Sequence, residues 1–129
     1  MLDRYIKELE EDLKIDEINL RDYQLKLPAI KHKWAGRYIR LKLEIAQDNK
    51  NLLMLKKKLA EEVEKAAPVK LSSPSINQMI ENHDTYKEFC AKIYEKKIVT
   101  ELLEKAEKTL SSTTYDIKNL VEIMKLEIT

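Results

Sequence analysis

The stretch KHKWAGRYIRLKLE, residues 31–44, sets five basic side chains beside the chain's single tryptophan. Cations along one helix edge can meet successive phosphates, and aromatic faces stack on unpaired bases. At about 100° per residue, Lys33, Arg37 and Arg40 fall within a window of roughly 60° along one edge of an apolar stripe. Lys58 projects near the same window, and Lys56, Lys57 and Lys58 form a second cluster that fans around the helix. Tyr38 sits at the edge of the stripe next to the ridge and is the better placed aromatic. Trp34 lies mid-stripe beside Leu41 and Ile45 and reads as core. On residue types alone, the ridge is either a phosphate track or a solvated face.

Other chemistry is poorly supplied. With Gly36 as the only glycine, neither a phosphate-cradling loop nor a dinucleotide fingerprint can be written. Gly36 itself costs a helix up to about 1 kcal/mol against alanine; a close backbone approach, a mild bend or neutral drift would each account for it. His32 and His83 lack a second ligand at metal-binding spacing, so no metal and no cofactor is expected. Cys90 falls on an apolar helix face without a histidine partner and reads as a core thiol. Adjacent carboxylates such as Glu10 and Glu11 are ordinary on a solvated face. The chain is read as a non-enzyme.

Charge is unevenly spread. Residues 1–30 carry five basic and eight acidic side chains, net −3; residues 31–58 carry nine and two, net +7; residues 59–129 carry ten and thirteen, again net −3. A single cysteine points to a reducing compartment. The acidic amphipathic start does not read as a signal peptide, and the longest aliphatic run, LLML at 52–55, is far too short for a bilayer. A soluble intracellular protein without a membrane partner is expected.

The elements that must position the ridge are helical. With 36% charged residues and almost no glycine, the composition predicts an all-α fold. Leu2, Tyr5, Leu9 and Leu13 predict a first helix over 2–14, and Asp16 is a candidate N-cap for a second helix reaching Pro28, where a kink or short break is expected. From Ala29 to about Ala66, one sustained stripe predicts a long helix against which the first two fold back. AAPVKLSSPS at 66–75 is the clearest punctuation, with Ser73 as cap and Pro74 opening a short helix to about Asn82. Asp84 then caps a helix to about Leu110, SSTT at 111–114 breaks it, and a last helix runs from about Tyr115 to Glu127.

The last helix has two apolar sides. Ile117, Leu120, Val121 and Met124 make one face, and Ile123 and Leu126 add a second patch, so self-association through this segment is expected. The organisation is therefore read as an N-terminal helical nucleic-acid-binding region at 1–66, a linker at 67–75 and a C-terminal helical oligomerisation region at 76–129.

ELEEDLKID at 8–16 with Leu20, KW at 33–34, LKKKL at 55–59 and YDIKNLVEIMKLE at 115–127 together resemble the UvsY family, recombination mediators of T-even-like bacteriophages. The resemblance is best over residues 2–59 and weak through the linker. It implies a small all-helical protein without an active site that assembles into a closed ring of six or seven subunits through its C-terminal region. It further implies binding to single-stranded DNA, contact with the phage single-strand-binding protein and recombinase, and work in the cytoplasm of the infected bacterial host. The family's basic element maps onto Leu55–Leu59, with Lys58 where an arginine is usual, a change that keeps charge but not the bidentate fork. The rival reading is a helical adaptor or scaffold whose basic ridge meets an acidic protein partner. A preference for single strands over duplex separates the two.

Overall fold

The computed structural model describes residues 1–128; Thr129, the last residue of the expected C-terminal region, lies outside them. The described residues form four α-helices and no strand: α1 (Leu2–Asp12), α2 (Leu20–Ala66), α3 (Ser73–Glu81) and α4 (Asp84–Ile128). The all-α expectation and the long helix are both met.

Helix α1 ends where the Leu13 N–H donates to the Leu9 carbonyl and the Lys14 N–H to that of Glu11. Asp16 does not cap α2 directly. Its Oδ1 accepts the N–H groups of Ile18 and Asn19, while Asn19 Oδ1 accepts the Asp16 N–H at 2.8 Å, a reciprocal turn that ends the connection. The Asn19 carbonyl then accepts the Tyr23 N–H, and α2 begins at Leu20. It runs through Pro28 without a break. Proline removes one backbone donor and crowds the preceding turn, a cost of about 3 kcal/mol in a helix interior. The buried side chains of Tyr23, Leu27 and Trp34 on either side of it offset that cost.

Ser72, not Ser73, caps α3, accepting the Ser75 N–H, and Pro74 falls in the first turn, where its missing N–H is harmless. Helix α4 is entered from His83, whose carbonyl accepts the Lys87 N–H and whose Nδ1 accepts the Thr85 N–H, so Asp84 is the first helical residue rather than the cap. The break expected at 111–114 is absent. Ser111 and Thr113 hydroxyls donate to carbonyls one turn back, at Glu107 and Thr109, and Ser112 donates to Thr109, so the polar run satisfies itself inside the helix.

The packing makes two compact units that cut across the expected boundary at 67–75. One unit contains residues 1–40 and α4 from Val99 onward. Its core is Tyr23, Leu27 and Trp34 of α2 with Val99, Leu103, Ala106, Leu110, Thr113 and Ile117 of α4, an alternation of four- and three-residue steps that keeps one seam of α4 inward. The other unit contains Leu41–Ile98, with Leu41, Leu59, Ile80 and Ile93 as its core. There Lys96 reaches Asp48 at 2.6 Å and Glu44 at 3.7 Å, joining α4 to α2 by an ion cluster.

Candidate nucleic-acid interface

Lys33 and Arg37 stand one turn apart on α2, and Glu8 and Asp12 stand one turn apart on α1. Because the two helices run antiparallel, the pairs register. Lys33 Nζ donates to Asp12 Oδ2 at 2.6 Å and to Glu8 Oε1 at 3.3 Å. Arg37 Nη1 donates to Glu8 Oε2, and Nη2 donates to Glu8 Oε1 at 3.2 Å, a bidentate pair. Two cations of the expected phosphate track are thus matched within the chain by two carboxylates.

Aromatic rings complete the cluster. The Tyr5 ring meets Trp34 edge-on, with centroids 5.7 Å apart. The Arg37 guanidinium lies 4.7 Å from the Tyr5 centroid and 4.8 Å from that of Trp34, and Lys33 Nζ lies 5.4 Å from the Trp34 ring. Trp34 is fully buried, as its place in the stripe predicts, and its indole N–H donates to Asp12 Oδ2 at 2.8 Å. Tyr23 donates its hydroxyl to the Asp12 carbonyl at 2.6 Å, and burial raises its pKa above the ordinary phenol value. The Arg37 hydrogen bond holds the Glu8 carboxyl below the usual carboxylate range against the opposing effect of burial, and Glu8 in turn raises the Arg37 pKa. The acids were absent from the sequence-derived site, although matching four-residue spacings on two adjacent helices were the available signal.

The remaining expected contact residues differ in kind. Tyr38 is half-buried and engaged by neighbours, whereas Arg40 is exposed at the end of the same unit. In the other unit, Lys57 and Lys58 are exposed and Lys56 is half-buried. Among the described residues, none of Arg40, Lys56, Lys57 and Lys58 has an ion-pair partner. Their charges stay available to an outside anion. A Cβ built at Gly36 meets nothing within 4 Å, so no close approach inside the chain requires that glycine.

The C-terminal set also divides. Ile117 is buried in its own unit, Leu120, Val121 and Met124 are half-buried, and Ile123 and Leu126 are exposed at 51% and 75%. Cys90 is a half-buried free thiol, and His32 is exposed. Among the described residues, no group of three His, Cys, Asp or Glu side chains is placed to hold a metal, and no helix is long and apolar enough to cross a membrane.

A family profile described as "Recombination, repair and ssDNA binding protein UvsY" matches residues 8–128, nearly the whole chain. No curated protein and no solved structure matches it.

Proposed function

The chain belongs to the UvsY family, and from that membership we propose that it is a recombination mediator of a T-even-like phage. In this reading it binds single-stranded DNA and loads the phage recombinase onto strands covered by single-strand-binding protein, in the cytoplasm of the infected host. The observation that carries the reading is the exposed, internally unmatched pair Lys57 and Lys58, in the segment that resembles the family's basic element.

The mechanism is electrostatic and positional, with no bond made or broken. Each phosphate neutralised by a lysine releases a condensed counterion, which favours binding at low salt. One such segment grips a strand weakly. Repeated around a ring of six or seven subunits, each later contact is intramolecular and avidity multiplies the grip. Ile123 and Leu126, apolar and outward-facing on α4, are the residues offered to that assembly. A strand held in this way is presented to the recombinase while the single-strand-binding protein leaves.

The test is fluorescence anisotropy of a labelled single-stranded oligonucleotide over a salt series. Binding that weakens steeply with salt, prefers single strand to duplex and disappears when Lys56, Lys57 and Lys58 are changed together to Glu is expected. Exposed Leu53 and Met54, one turn before Lys57, favour one rival, an adaptor whose basic and apolar face takes an acidic amphipathic protein segment. Absence of strand binding by the folded, assembled protein would overturn the mediator reading and return the chain to the adaptor class.

A further inference from the structure

Helix α1 is short and lightly held. It has eleven residues and not one of them is fully buried. An isolated helix of that length is marginal in water, so α1 owes its place to what it touches on α2. Those contacts include Glu8 and Asp12 on Lys33 and Arg37, the Asp12 carbonyl on Tyr23 and the Tyr5 ring on Trp34, while Leu2, Ile6 and Leu9 are only half-buried. An element held this way opens at lower free energy than the core beneath it.

What it covers has the composition of a strand-binding platform. Lys33 and Arg37 supply two cations one helical turn apart, and Trp34 supplies a ring face already bearing a guanidinium. Single-stranded nucleic acid is held by this combination of backbone cations and stacking rings. The two α1 carboxylates sit on the cations as phosphate oxygens would, one of them bidentate on Arg37.

We propose that α1 is a displaceable cover over a second strand contact made of Lys33, Trp34 and Arg37, with Glu8 and Asp12 holding the places of two strand phosphates until it opens. This rests on the single-stranded DNA reading above. The tethered carboxylates have the advantage of high local concentration, so a free phosphate does not displace them; a strand already gripped elsewhere on the assembly does. The cover thereby makes full engagement conditional on prior binding, and isolated nucleotides are excluded from the Trp34 ring.

Trp34 is the only tryptophan and is fully buried, which makes the unaltered protein its own reporter. Anisotropy and Trp34 emission are followed in one titration with an unlabelled and a labelled single-stranded oligonucleotide, and repeated for Glu8→Gln with Asp12→Asn. Binding should change the Trp34 emission and its quenching by acrylamide. The double variant should bind several-fold tighter. Its slope of log K against log salt should steepen by up to about 1.4, because two cations that previously exchanged one anion for another now release counterions. Strand binding with unchanged Trp34 emission, and no gain in the double variant, overturns the cover while leaving the DNA reading intact. No strand binding by either protein overturns both.

Discussion

Arg37 and Glu8 meet across the two N-terminal helices through both terminal guanidinium nitrogens and both carboxylate oxygens, and the same guanidinium lies within 5 Å of the Tyr5 and Trp34 ring centroids. One side chain therefore closes an ion pair and an aromatic cluster at once. It ties α1, which has no buried residue, to the buried tryptophan of α2. The ridge read from the sequence as a surface for an outside anion is, at this point, also the attachment of the first helix.

Arg37→Ala should destabilise the fold by about 1–2 kcal/mol, the range for losing a charge-assisted bond that is partly solvated. Arg37→Lys should recover only part of that loss, because an ammonium cannot match two carboxylate oxygens in a plane or lie flat between two rings. Urea denaturation of the three proteins gives the order. A lysine variant as stable as the parent would show that charge alone holds α1.

Acid should loosen α1 before it unfolds the rest. The folded state holds the Glu8 pKa below its ordinary value of 4.5, chiefly through the Arg37 hydrogen bond. A lowered folded pKa means that this contribution is fully present above the unfolded value and is lost as pH falls through the folded one. Trp34 emission should therefore change below about pH 4.5, and Glu8→Gln should remove that part of the transition. An acid transition that survives unaltered in the Gln variant would assign it to other carboxylates.

Gly36→Ala should stabilise α2 by about 0.5–1 kcal/mol, since the new methyl finds open space in a helix that glycine disfavours. The informative companion measurement is strand affinity. Unchanged affinity marks the glycine as incidental, whereas a loss with a raised Tm would show that a strand backbone comes close to it.

Ser111→Ala with Ser112→Ala should raise stability by a few tenths to about 1 kcal/mol, because both sites are exposed and lie inside a continuous helix where alanine is preferred. Circular dichroism and thermal melting read the result. Lower helicity or a lower Tm would mean that the hydroxyl bonds to Glu107 and Thr109 stabilise the helix there rather than merely being tolerated.

Much of the architecture is written locally. Steps of seven and eighteen residues, close to whole numbers of helical turns, among Leu27, Trp34, Leu41 and Leu59 mark the inward seam of α2, and steps of four and three from Val99 to Ile117 mark that of α4. Periodicity is a property of the chain alone, so the all-α class, the long helix, the punctuation between α2 and α3 and the burial of Trp34 were legible. Helix ends were less so. Pro28 and the run 111–114 carry a local cost that reads as a stop, yet both lie within continuous helices. The burial of Tyr23, Leu27, Leu110, Thr113 and Ile117 around them stabilises the helical path by more than the local preference opposes it.

The sequence by itself determined which residues turn inward and where positive charge gathers. Only the tertiary structure decided which of those charges remain for an outside anion. Lys33 and Arg37 share one edge of the apolar stripe with Lys58, so helical phase does not tell them apart. The difference is that α1 folds antiparallel onto α2 and brings Glu8 and Asp12 into register with the first pair alone. An ion pair joining residues 21 to 29 positions apart depends on the path of the connecting chain, and that path follows from packing rather than from the spacing within either helix.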